Sequence, residues 1–259
     1  MLNIAIKSAL KAGEEILKIY NSDFQSETKI DGSPLTLADK NANDIIISYL
    51  KETEIPIISE ENKSIPYELR KKWSKVWIVD PLDGTKEFIN KNGEFTVNIA
   101  LIKNKKPFIG VVFAPFIDIL YFGQIGIGGF KLKDARSHIN DLENILQLSK
   151  KLPLKNQKSY FTVISSRSHQ SILTSDYIKN LNTNKKKVNY MIAGSSLKIC
   201  MVAEGIANLY PRLAPTMEWD TAAGHAICLS SGFSIKNFRN NKELKYNKKN
   251  LLNPFFICN

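Results

Sequence analysis

The sequence predicts a layered α/β fold, and three observations carry that prediction. Residues 2–20 hold an apolar stripe at helical spacing. Residues 95–122 hold three apolar runs of strand length, the first two joined by a hairpin-like link. Residues 161–235 alternate strand and helix patterns, the arrangement that packs helices onto sheets in layers.

The opening stripe is Leu2, Ile6, Ala9, Leu10, Gly13, Ile16, Leu17 and Tyr20, one face of a helix with one buried side. A turn is expected at Asp31-Gly32-Ser33-Pro34. Thr36 and Asp39 then lead into a second helix over 40–50, with Asp39 as its cap. Residues 55–58 read as a short strand running into Ser59-Glu60-Glu61. Val76-Trp77-Ile78-Val79 is a buried strand that stops at Asp80 and Pro81. Strands follow at 95–102, 108–114 and 119–122, with 104–107 as the hairpin link.

The pattern weakens and turns polar over 131–160, which marks a soft boundary. Residues 1–135 then form an N-terminal α+β half, and 136–259 a C-terminal α/β half. In the second half, strands are expected at 161–164, 207–210 and 232–235, and helices at 171–181, 195–203 and 221–229.

The 259 residues suffice for one large domain or two smaller ones sharing a core. Apolar residues at 43% and charged residues at 24% are ordinary for a globular chain and argue against disorder. The formal charge is +11, and only five of the 36 basic residues are arginine. Most of this charge reads as a lysine-rich solvated surface. Its functional consequence is attraction of polyanions, among them nucleotides and acidic lipids. Weak peripheral association with the cytoplasmic face of an inner membrane follows from the same field. The clusters at Lys103/Lys105/Lys106, Lys185–187 and Lys245/Lys248/Lys249 lack interleaved aromatics, which argues against nucleic-acid binding. Cys200, Cys228 and Cys258 are odd in number and match no zinc spacing, so buried or free thiols in a reducing compartment are expected. No stretch reads as a signal peptide or membrane span, and a soluble cytoplasmic protein is the expectation. Oligomeric state is not legible.

The chemistry concentrates in acids. Asp80-Pro81-Leu82-Asp83-Gly84-Thr85 places two carboxylates, a proline and a glycine at the mouth of a buried strand. Such a turn can aim both acids and a backbone carbonyl at one point, the oxygen-rich cage a hard cation such as Mg²⁺ requires. Glu60 and Glu61 end another short strand, and one of them could reach the same mouth. In Trp219-Asp220-Thr221-Ala222-Ala223-Gly224, Asp220 sits where a helix begins, able to cap it and still offer an oxygen to metal. Glu218 reads as exposed. Gly194-Ser195-Ser196-Leu197-Lys198 opens a helix with small hydroxylated residues, and Ser165-Ser166-Arg167-Ser168-His169 follows a strand. Both suit an anion through free N–H groups, hydroxyls and cationic side chains.

Together, Thr36-Leu37-Ala38-Asp39, Ser59-Glu60-Glu61, Asp80–Thr85 and Trp219–Gly224 resemble the motifs of the inositol monophosphatase superfamily, in order and spacing over nearly the whole chain. The run Thr85-Lys86-Glu87-Phe88-Ile89, followed by Asn92-Gly93-Glu94-Phe95-Thr96-Val97-Asn98, resembles its 3′(2′),5′-bisphosphate nucleotidase branch, of the bacterial sulfur-assimilation type. So do the segments at 165–169 and 194–198, and Tyr210-Pro211-Arg212. The resemblance implies a layered αβαβα sandwich of the sugar-phosphatase type with the site between the halves. It implies Mg²⁺ held by Glu60, Asp80, Asp83, Asp220 and the Leu82 carbonyl, and sensitivity to lithium. It implies a catalytic set of Asp39, Thr85 and Glu60, with Asp39 paired to the Thr85 hydroxyl. Substrate contacts are implied at Glu60, Leu82, Asp83, Gly84, Thr85 and Asp220, joined by Ser165, Arg167, Ser195, Ser196, Lys198 and Arg212. The implied reaction is hydrolysis of the 3′-phosphate of adenosine 3′,5′-bisphosphate, with an inositol or sugar phosphate as the alternative substrate.

Overall fold

The structure, a computed structural model, describes residues 1–22, 26–28, 34–154, 160–167, 171–181 and 187–259. The chain opens with α1 (Leu2–Tyr20), whose apolar stripe is buried as the spacing predicts. The short strands β1 (Ser26–Thr28) and β2 (Pro34–Thr36) pair antiparallel and lead into α2 (Leu37–Leu50). Residues 31–33 of the expected turn lie outside the described residues. A second helix was expected from residue 40; it starts three residues earlier, so Asp39 lies inside its first turn.

Next come β3 (Ile57–Ser59), a single turn of helix α3 (Tyr67–Arg70), β4 (Lys75–Asp83) and the short α4 (Thr85–Ile89). A meander follows: β5 (Thr96–Lys103), β6 (Lys106–Ala114), β7 (Ile119–Gln124) and β8 (Gly128–Lys133). Asn104 and Lys105 both take positive φ, as a tight hairpin link demands. After another single turn, α5 (Ile145–Leu148), β9 (Lys150–Lys151) completes a seven-stranded sheet in the order β3-β4-β5-β6-β7-β8-β9. Only the β3–β4 pair in it is parallel.

The apolar runs of β4, β5 and β6 are continuous because both faces of this sheet are covered. Alternate residues divide between two cores. Trp77, Val79, Val97, Ile99, Val111 and Phe113 pack with the helices α1 and α2. Val76, Ile78, Ala100, Ile102, Val112 and Ala114 face the opposite way into a second core. That second core is closed by later elements. These are β10 (Tyr160–Ser166), α6 (Ile172–Lys179), β11 (Lys187–Ala193), α7 (Leu197–Ala203), β12 (Tyr210–Arg212), α8 (Glu218–Ser230), β13 (Ile235–Asn237) and β14 (Phe256–Cys258). Helices α7 and α8 lie against the large sheet. Beyond them stand the parallel pair β10–β11 and the antiparallel sheet β12-β14-β13. On the outside, α6 packs through Ile178 against Val163 and Leu209. Helix pair, sheet, helix pair, sheet and helix make the αβαβα order that the resemblance implies.

Gly110 on β6 permits a close approach of sheet and helix. A Cβ there would lie 2.1 Å from the Ala223 carbonyl oxygen of α8. The three cysteines are free and buried, as expected. The strands β11 and β14 escape the sequence pattern. No helix among the described residues is long and apolar enough to cross a membrane.

Candidate metal centre and phosphate cavity

Strand register brings the first two acids together. In the parallel pair, Ser59 lies opposite Val79, so Glu60 and Asp80 leave adjacent strands side by side. The Glu60 N–H donates to the Val79 carbonyl at 3.2 Å and fixes that exit. The strand did not stop at Asp80, as the sequence suggests. It runs on to Asp83 through a bulge, with Asp80 opposite Asn98 and Asp83 opposite Thr96. Pro81 has no N–H to give the ladder, and an extra residue on one strand twists it and redirects its side chains. The bulge is thus the local device that turns both Asp80 and Asp83 toward one mouth.

The third acid comes from across the second core. Asp220 sits in the first turn of α8, and its Oδ2 accepts the N–H of Met217 at 2.9 Å. It caps its helix as expected. One carboxylate oxygen from each of Glu60, Asp80 and Asp220 lies within 4.8 Å of the others.

The electrostatics of this cluster favour a bound cation. Burial pushes the Asp80 carboxyl well up, and the nearby Glu60, Asp83, Asp220 and Asp39 add to the shift. Asp220 is pushed up to about 8, by burial first and then by Asp83. Burial also raises Asp83, offset in part by Lys198 and by the Ser196 and Asn98 hydrogen bonds. Asp80 is 1% exposed, and its Oδ1 is a buried oxygen with no hydrogen-bond partner. A buried carboxylate oxygen without a donor is costly, and an all-oxygen donor set is what a hard divalent cation binds. The residues fit such an ion.

Around the acids the remaining groups are ordered. Asp83 Oδ2 lies 2.9 Å from Ser196 Oγ and 3.4 Å from Asn98 Nδ2. Thr85 Oγ1 lies 3.5 Å from Asp39 Oδ2 and 3.3 Å from the Leu82 carbonyl oxygen, so its single proton has two acceptors. Gly84, at φ +90°, makes the left-handed step between Asp83 and α4.

The acids open onto a cavity of about 330 Å³ whose wall also includes the basic Lys198 and Arg212, with Ser195 and Ser196. Lys198 does not lie on a helix surface. It is 5% exposed, and burial brings its ammonium down to about 8 despite the nearby Asp83. The Lys198 ammonium donates to the Ser195 carbonyl oxygen, and Arg212 Nη2 donates to that of Pro215 at 3.0 Å. Ser195 holds φ +45°, and its buried Oγ has no hydrogen-bond partner.

Two predicted contacts stand apart from this wall. Ser165 and Arg167 do not line the cavity, although Ser166 does. The Arg167 guanidinium is held by Glu94 through Nε at 2.9 Å and Nη2 at 2.8 Å. Ser168 and His169 lie outside the described residues. Glu87 and Tyr210, quoted in the sequence only within kinship runs, line the cavity. Glu94 was quoted there only as part of a kinship run, which was the available signal.

With this fold and this acidic mouth, the chain belongs to the inositol monophosphatase family, whose model matches residues 1–254. That family is one of metal-dependent phosphatases. Within it, the chain is 40% identical over 261 aligned positions to the 3′(2′),5′-bisphosphate nucleotidase CysQ of Salmonella typhimurium, covering 99% of this chain and 98% of the relative. It is 40% identical to that of Buchnera aphidicola, over 92% of this chain and 84% of the relative. The crystal structure of CysQ from Bacteroides thetaiotaomicron superposes with a TM-score of 0.91 at 46% identity, covering 98% of this chain and 95% of that one. An inositol monophosphatase of Thermotoga maritima shares the fold alone, with a TM-score of 0.75 at 21% identity over 99% of this chain and 91% of that one.

Proposed function

We propose that this protein is a Mg²⁺-dependent phosphatase that removes the 3′-phosphate of adenosine 3′,5′-bisphosphate, yielding AMP and phosphate. The observation that carries this reading is one cavity lined both by three converging carboxylates and by Lys198 and Arg212. Acids suit a metal that takes the reacting phosphate. Buried cations suit a second, non-reacting phosphate, and such remote binding contributes at the reacting centre. The kinship with enzymes named as bisphosphate nucleotidases supports the same substrate class.

Glu60, Asp80, Asp83, Asp220 and the Leu82 carbonyl would hold the ion. When bound, Mg²⁺ neutralises phosphate charge and acts as a Lewis acid toward its oxygens. Glu60 and Asp80–Thr85 come from residues 1–135, and Lys198, Arg212 and Asp220 from 136–259, so the two halves share the site. A water attacks phosphorus in line with the bond to O3′. Its proton passes to Thr85 Oγ1 as the Thr85 proton passes to Asp39 Oδ2, a relay matched to the 3.5 Å contact. The P–O3′ bond breaks, and the departing 3′-oxygen takes a proton from solvent. Lys198, Arg212, Ser195 and Ser196 orient the nucleotide. Arg167, engaged by Glu94, has no direct part.

The test is phosphate release by the purified protein in Mg²⁺, with adenosine 3′,5′-bisphosphate compared against inositol 1-phosphate. Preference for the nucleotide is expected. Preference for the inositol ester would keep the acidic centre and overturn the substrate.

A further inference from the structure

Glu94 lies outside the acidic cluster, on the segment between α4 and β5, yet its carboxylate joins three parts of the chain. Oε2 accepts the Gly194 N–H at 2.7 Å and Arg167 Nε at 2.9 Å, while Oε1 accepts Arg167 Nη2 at 2.8 Å. Burial would raise the Glu94 carboxyl, but the Arg167 and Gly194 bonds outweigh it and hold the group below its ordinary range. A bidentate arginine fixes both oxygens of a carboxylate in one plane. Arg167 is 46% exposed, so the pair on its own would add little to stability. What it does is aim Oε2 at Gly194.

The residue after Gly194 is under strain. Ser195 holds φ +45°, a conformation side-chain-bearing residues seldom adopt, and such strain persists only where neighbours enforce it. The enforcement is visible on both sides. Before Ser195, Gly194 is pressed so closely onto Glu94 and Glu87 that a Cβ would meet the Glu94 carbonyl oxygen and Glu87 Cγ at 2.8 Å. After it, Ser196 Oγ lies 2.9 Å from Asp83 Oδ2 and 2.8 Å from the Asp220 carbonyl oxygen. This strained step carries Ser195, which lines the cavity and whose buried Oγ has no hydrogen-bond partner.

We infer that Glu94 is a positioning residue: clamped by Arg167, it holds Gly194 so that the strained Ser195 presents its hydroxyl to a phosphate oxygen of the substrate. Arg167 acts through Glu94 and does not touch the substrate. The inference rests on the proposed phosphatase function, but not on the identity of the ester.

The experiment is a double-mutant cycle on kcat/KM with Glu94→Ala, Arg167→Ala and the pair, accompanied by Tm and by Mg²⁺ titration of each variant. Glu94→Ala lowers kcat/KM by about 100-fold, the scale of a misplaced binding group. Arg167→Ala lowers it by about 10-fold in the wild type and by less than about 2-fold in the Glu94→Ala background, because the two act as one unit. Glu94→Gln keeps an acceptor for Gly194 and loses less than Glu94→Ala. Mg²⁺ affinity stays unchanged throughout. Equal, additive losses from Arg167→Ala in both backgrounds would overturn the inference and make Arg167 a substrate contact. So would a Glu94→Ala enzyme within about 2-fold of wild type. If Glu94→Ala fails to fold, Glu94→Gln with and without Arg167→Ala gives the same cycle. A wild type active only on another phosphate ester would overturn the proposed substrate alone, and the cycle is then read on that ester.

Discussion

Asp80 and Glu218 are both carboxylates buried to the limit, at 1% and 0% exposure, and their surroundings could hardly differ more. Glu218 begins α8, two residues before Asp220, and its oxygens accept the backbone N–H groups of Asn247 at 2.5 Å and Lys248 at 3.0 Å, plus the Lys248 ammonium. Burial raises its carboxyl, but Lys248 and those N–H groups oppose the shift. Asp80 has acids for neighbours and an oxygen with no donor. The start of α8 thus carries an acid fully bonded by the protein and, two residues on, one that joins Asp80 in the acidic cluster. Burial does not tell them apart. What does is whether the protein itself completes the carboxylate's bonding.

The comparison can be broken most sharply at Asp80. Asp80→Asn is expected to abolish turnover, by about 10³-fold or more, while melting no lower than the metal-free wild type, since a repelling charge is gone. Steady-state assays and a thermal melt check both halves. Near-normal turnover by a well-folded variant would sink the metal assignment.

At the structural acid the pattern should reverse. Glu218→Ala leaves two N–H groups without an acceptor and the Lys248 ammonium without its carboxylate, and should cost about 3–5 kcal/mol in urea unfolding. Its folded fraction should still turn over substrate.

Metal binding gives the next effect in size. Mg²⁺ at about 100 times its Kd should stabilise the wild type by about 2.7 kcal/mol. Asp80→Asn should show little of that gain. Equal stabilisation of both proteins would place the ion elsewhere.

The smallest effect concerns a third buried group on α8. His225 lies between Tyr246 Oη at 2.9 Å and Glu243 Oε2 at 2.7 Å, and burial lowers its pKa from 6.5, although Glu243 opposes the shift. The unfolded chain therefore binds the proton more tightly. The stability from neutral His225 is complete above pH 6.5 and is lost as pH falls through the lower folded value. Urea midpoints at pH 7.5 and pH 5 should differ less in His225→Asn than in the wild type, by about 1 kcal/mol.

Where the sequence is legible, the cause is local. The stripe of α1, the run ending at Asp80 and the cap at Asp220 each follow from residues close in the chain. The failures are at long range or two-sided. Glu218 looks exposed until the chain near Asn247 folds over it, and Arg70, which donates to Asn247 Oδ1 at 2.8 Å, is buried by a segment 177 positions away. The strand β11 escapes notice because Lys187, Asn189 and Tyr190 face outward, leaving no alternation to see. At the site, the acids were legible by type and spacing. The pairing of Arg167 with Glu94 was not, since the two lie 73 residues apart.

The three buried thiols described with the fold have a practical consequence. Cys200, Cys228 and Cys258 all belong to the core between the large sheet and the smaller ones. An alkylating reagent meets none of them until those layers part. Mass spectrometry of intact protein after timed exposure to such a reagent would clock the opening of that core. The natural sequence already carries the probe, and nucleotide or metal that fastens the halves together would slow the clock.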